Sequence, residues 1–93
     1  MSVTRINDFR AKEGKADALR ALLTQVIPSI ASLKGCLSCK LLQSQDTPSR
    51  FIVLEVWDSV DSHKAAVKEI PPEMFMTVME LLEGRPSGEY LHE

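Results

Sequence analysis

Ninety-three residues with a formal net charge of −2, 44% hydrophobic and 26% charged, read as one globular domain spanning 1–93. Lysine and arginine are scattered (Arg5, Arg10, Lys12, Lys15, Arg20), so no basic stripe exists to neutralise nucleic-acid phosphates. No apolar run approaches the length of a bilayer span and the first nine residues lack a signal-peptide apolar region, so no membrane role is expected and the cytoplasm is the expected location.

Val3–Phe9 alternates weakly and runs into the turn signal Lys12-Glu13-Gly14, which predicts a first strand. From Lys15 to Leu33 the period becomes helical. Ala16, Leu19, Leu22, Leu23, Val26, Ile27, Ile30 and Leu33 share one arc, with Arg20, Thr24, Gln25 and Ser32 opposite. Pro28 falls on the polar side and is expected to bend the helix or loosen its last turn, and Gly35 fits a helix stop.

Cys36–Gln45 reads as a second strand, followed by a hairpin-like loop at Gln45–Ser49. The strand opens with a lone C-x-x-C, Cys36 and Cys39. Thioredoxin-type chemistry needs the first Cys at a helix N-terminus and a zinc site needs four ligands, so these read as two reduced thiols.

Arg50–Trp57 is apolar on both alternating faces: Ile52, Leu54 and Val56 on one, Phe51, Val53 and Trp57 on the other. A strand buried on both sides needs two covering layers, and the short helices of this chain supply only one. A second copy of the chain is the economical other cover, which predicts a homodimer. A chain this short buries only roughly 60–65% of its unfolded surface, which favours the same conclusion.

Asp58 or Ser59 is placed to cap a helix at Ser59–Lys68. Pro71-Pro72 ends it and opens a third helix at Glu73, in which Met74, Phe75, Val78, Met79, Leu81 and Leu82 share an arc closed by Gly84. Ser87–His92 is the final strand. The order βαββααβ is that of an α+β, ferredoxin-like domain with an antiparallel sheet.

Three segments together carry a family resemblance: Phe9-Arg-Ala-Lys-Glu-Gly-Lys, Leu33-Lys-Gly-Cys, and Arg50-Phe-Ile-Val-Leu-Glu-Val-Trp-Asp-Ser. In this order and spacing the chain resembles the antibiotic-biosynthesis-monooxygenase domain over nearly its whole length. The resemblance implies a dimeric α+β barrel, with two sheets packed face to face and a cavity between each sheet and its helices. It also implies a cofactor-independent monooxygenase that uses dioxygen on a small phenolic or quinol-type aromatic substrate. No cofactor is expected, since no Gly-rich phosphate loop and no His/carboxylate cluster is present. Haem-binding or haem-degrading relatives and a non-catalytic, small-molecule-binding dimer are the alternatives.

Candidate site residues follow from the faces of these elements. His63 lies near the centre of an arc shared with Val60, Val67 and Ile70. Burial there favours neutral imidazole, the form able to accept a phenolic proton. The family often carries a His one turn later, where this chain has Ala66. Asn7 and Arg5 project from the same face of the first strand as Val3 and Phe9, and two polar groups on a buried face need partners. Asn7 falls where haem-degrading relatives carry a pocket Asn, and as a catalytic residue it is expected to donate a hydrogen bond to the substrate oxygen. Arg5 is expected to stabilise an oxygen anion. Trp57, Phe51 and Phe75 are the expected aromatic walls. Glu55 reads as a partner of Arg5 or Arg50 or as the cap of a dimer contact, with a base role second. Tyr90 and His92 read as solvated or strand-pairing tail residues.

Overall fold

The computed structural model describes residues 2–93. Its elements are β1 (Val3–Arg10), α1 (Ala16–Ala31), β2 (Cys36–Gln43), β3 (Arg50–Trp57), α2 (Val60–Val67), α3 (Pro72–Glu80) and β4 (Ser87–Leu91). The strands form one antiparallel sheet in the order β2-β3-β1-β4. This is the ferredoxin-like α+β arrangement that the alternation of periods two and 3.6 predicts.

Element ends differ from the sequence reading where side chains capture the backbone. β2 stops at Gln43 because Ser44 turns into the loop, its Oγ accepting from Thr47 N–H at 3.0 Å. α1 runs through Pro28 and closes in a tightened turn, with Leu33 N–H on Ile30 O at 3.0 Å. Ser59, not Asp58, caps α2, its Oγ accepting from Ser62 N–H at 3.1 Å. α3 stops two residues before Leu82, which leaves the helix to bridge Ala11. Gly35 has φ +89°, and a Cβ there would stand 2.6 Å from Ser62 Cβ, so glycine is what lets α1 turn into β2 beneath α2.

Period-two burial along β3 divides the molecule. Phe51, Val53, Glu55 and Trp57 are buried, while Arg50, Ile52, Leu54 and Val56 are half-buried. The covered face divides into two apolar clusters. One gathers Ala11, Leu19, Leu23, Phe51, Val53, Val78 and Leu82; the other gathers Val3, Trp57 and Ala66, with Ile30, Leu33 and Val60 against it. The opposite face carries Ile6, Ile52, Leu54, Val56 and the exposed Leu42, with no helix among the described residues covering them. It also carries the ion pair Arg50–Asp8 at 2.7 Å, in which Arg50 takes a different carboxylate from the Glu55 considered for it.

Among the described residues, no helix is long and apolar enough to cross a membrane.

Candidate functional site

Glu55 is the residue around which the site is built. It sits on β3 between Val53 and Trp57, facing the helices, with 5% of its surface exposed. Lone buried carboxylates are costly, and this one is held by donors on both oxygens. Trp57 Nε1–H donates to Oε1 at 2.7 Å, and Asn7 Nδ2–H donates to Oε2 at 2.7 Å. Sheet register explains both contacts. Trp57 is the next residue on the same face of β3, and Asn7 pairs with Val53 on β1, one same-face step away from Glu55. Burial pushes the Glu55 carboxyl above its usual range, while Trp57, Arg5 and Asn7 pull it back.

His63 comes down onto this carboxylate from α2, buried at 9% exposure. Its Nε2 lies 3.9 Å from Glu55 Oε1, and its Nδ1 lies 2.6 Å from Tyr90 Oη. The ring stands edge-on between Trp57 and Tyr90, 5.3 Å from each centroid. Burial first, then the Arg5 charge, holds the imidazole below its ordinary 6.5, so it is neutral at pH 7. A tautomer with the proton on Nδ1 donates to Tyr90 and leaves Nε2 as an acceptor on the Glu55 side.

These groups edge a cavity of about 280 Å³ between sheet and helices. Arg5, Asn7, Glu55 and His63 supply its polar wall. Trp57, Phe9, Ile27, Ile30, Val78 and residues of the α2–α3 segment supply the apolar one. Its size falls near the small end of the roughly 300–1,000 Å³ usual for small-molecule sites. The volume suits a compact ring system.

The family model described as "Antibiotic biosynthesis monooxygenase" matches residues 2–73. This chain belongs to the antibiotic biosynthesis monooxygenase family. Solved structures agree along the whole length. Rv0793 from Mycobacterium tuberculosis is 25% identical, with 100% of this chain and 95% of that one covered at a TM-score of 0.86. A putative family member from Chloroflexus aurantiacus J-10-fl is 28% identical, with 100% and 95% covered at 0.78. SnoaB, a cofactor-independent oxygenase from Streptomyces nogalater, is 17% identical, with 99% and 92% covered at 0.83, a likeness of fold. No curated protein matches the chain by sequence comparison.

Within this family frame, His63, Asn7, Arg5, Trp57 and Phe75 all border the cavity. Phe51 does not: it is fully buried in the apolar cluster with Leu19 and Val53, at the far end of β3. Strand alternation gave it the right face, but its ring is enclosed by the apolar cluster and does not reach the cavity. Asn7 has a different task from the one expected. Its two amide hydrogens go to Glu55 Oε2 and to Val53 O (3.2 Å), and its Oδ1 accepts from Arg5 Nε at 3.2 Å. No amide hydrogen is left to donate to a substrate, so Asn7 positions Glu55 and Arg5.

Tyr90 and the central place of Glu55 are what the sequence reading missed. Tyr90 reaches His63 only because β4 pairs antiparallel with β1, setting Tyr90 opposite Arg5. Its alternation with Gly88 on β4 was the available signal. Both thiols of the C-x-x-C are raised by burial, that of Cys39 to about 12, the reverse of a reactive cysteine. Among the described residues, no three His, Cys, Asp or Glu side chains are grouped to hold a metal ion.

Proposed function

We propose that the chain is a monooxygenase acting on a small phenolic or quinol-type aromatic substrate, with His63 as the base. The observation that carries this reading is a neutral, buried imidazole on the wall of an apolar cavity. One ring nitrogen is fixed by Tyr90, and the other faces a carboxylate able to stabilise the charged ring.

The substrate hydroxyl docks at His63 Nε2, with its ring against Trp57 and Phe75. Proton transfer to Nε2 leaves the phenolate in the cavity and an imidazolium 3.9 Å from Glu55 Oε1. The electron-rich anion passes one electron to dioxygen, and the resulting pair of radicals combines to a ring-bound peroxide. Loss of the ring proton at that carbon and cleavage of the O–O bond, with the His63 proton leaving on the departing oxygen, gives the quinone and water. One phenol and one dioxygen thus yield one quinone and one water. These steps draw their electrons from the substrate alone, as fits a fold likeness to a cofactor-independent oxygenase.

Haem loses the support that Asn7 lent it, since the amide hydrogens of Asn7 are taken by Glu55 and Val53.

The working unit we propose is a homodimer closed over the uncovered sheet face, where Ile52, Leu54 and Val56 need a second layer. Two free thiols suit a reducing cytoplasm. An oxygen electrode tests the chemistry, using protein treated with chelator and 1-naphthol or 1,4-dihydroxynaphthalene as substrate. Uptake above the spontaneous rate, with one atom of ¹⁸O₂ in the product, is expected. No uptake above background across both compounds overturns the reading. A mass of one subunit by light scattering at micromolar concentration overturns the dimer.

A further inference from the structure

Arg5 is a charged cavity residue whose polar groups are largely unspent. A guanidinium carries five N–H donors in a rigid fork. Among the described residues its only hydrogen bond is Nε–H to Asn7 Oδ1, and no carboxylate comes within 4.0 Å of it. Glu55, the nearby counter-charge, has already given one oxygen to Trp57 and the other to Asn7. The guanidinium is therefore left facing the cavity with its terminal nitrogens uncommitted.

The chain also makes room for this arrangement. Arg5 lies across β4 with Cζ 4.6 Å from the centre of the Tyr90 ring, a cation–π contact that helps to hold the guanidinium in place. Its terminal nitrogen rests against the backbone of Gly88, the residue two before Tyr90 on the same face of β4. A Cβ at Gly88 would collide with Arg5 Nη2 and come within 2.7 Å of Cζ. Gly88 is not in the left-handed region, so its backbone does not require glycine, and the missing Cβ leaves the space that the Arg5 guanidinium occupies. A planar cation with free paired donors, seated in a glycine gap at an apolar cavity, matches a planar anion in its geometry.

We infer that the substrate carries a carboxylate on its aromatic ring, gripped by the terminal nitrogens of Arg5, and that Gly88 sets this specificity by seating Arg5. The inference rests on the aromatic-substrate reading above and narrows it. The ring occupies the apolar cavity with its hydroxyl at His63, and the carboxylate points to β4, away from the engaged oxygens of Glu55.

Calorimetric titration under argon separates binding from oxidation. Wild type binds 1-hydroxy-2-naphthoate at least about tenfold more tightly than 1-naphthol, the gain expected of a charge-assisted pair. In Arg5→Gln the ratio falls to near one, and in Gly88→Ala it falls several-fold; thermal melts establish that each is folded, and Arg5→Gln suffices if Gly88→Ala is not. Raising the salt concentration lowers the wild-type ratio. A ratio near one in wild type, an unchanged ratio in Arg5→Gln, or no binding of either compound overturns the inference. Oxygen uptake without the preference sinks the carboxylate alone. The preference without any uptake sinks the oxidation alone.

Discussion

Phe51 and Glu55 stand on the same face of one strand, both essentially without solvent, and they do opposite work. Phe51 is surrounded by Leu19, Val53 and other apolar side chains and has nothing to satisfy. Glu55 lies among Trp57, Asn7 and His63, with both carboxylate oxygens engaged by polar groups. A few residues of one strand separate a region that holds the molecule together from the one we propose is held in order to react. The stability of the second is borrowed from the first, because a buried carboxylate kept in place by two donors is at best near break-even against water.

Phe51→Ala is the largest perturbation of the pair. It removes a fully buried ring from the apolar cluster and is expected to cost about 3–5 kcal/mol, read by urea denaturation. That is a large share of the total stability, about 5–15 kcal/mol, of a typical domain. Turnover per folded molecule should stay within a small factor of wild type at low temperature. A cost under about 1 kcal/mol would break the division of labour, since the cluster would then not be the anchor.

His63→Gln should do the reverse. Turnover of 1-naphthol is expected to fall by about 100- to 10,000-fold, the usual worth of a positioned base, while the urea midpoint moves little. Tyr90→Phe is smaller. It leaves His63 Nδ1 without its partner and frees the ring to choose either tautomer, for a fall in turnover of about tenfold and a stability loss of about 1 kcal/mol. If Tyr90→Phe cost as much as His63→Gln, Tyr90 would be acting on the substrate itself.

The dry region was far more legible in the sequence than the polar one, for a physical reason. Leu19, Leu23, Val78 and the alternation through Arg50–Trp57 announce themselves by period, because burial of an element's face is a local property of that element. The element order and the need for a second cover on Ile52, Leu54 and Val56 follow from the same signal. The polar site is made between elements. His63 could be placed on the inner face of α2, but its partner Tyr90 depends on β4 returning beside β1. Arg50 illustrates the same limit: it read as one of two partners for Glu55, while the pleat puts Arg50 on the other face with Asp8. Phe51 was misplaced because alternation gives the face of a strand and not the distance along it.

The smallest effect concerns pH, and it tests whether the charges around His63 act as the geometry has them. The imidazole is held below its ordinary 6.5, so the base form is present at neutral pH and turnover should fall only as pH drops below 6.5. The folded chain then binds fewer protons at His63 than the unfolded one. His63 therefore adds to stability above 6.5, and that contribution is lost as pH falls through the lowered value. Glu55 runs the other way: its carboxyl is raised, so its contribution is greatest below its ordinary 4.5 and is lost as pH rises through the raised value. Arg5→Gln removes a positive charge and should move the acidic limb of 1-naphthol turnover upward, toward 6.5. Glu55→Gln removes the negative charge facing Nε2 and should move it downward. The two limbs shift in opposite directions only if both charges are felt at His63. A pair of profiles that coincide with wild type would mean that the proton is taken elsewhere in the cavity.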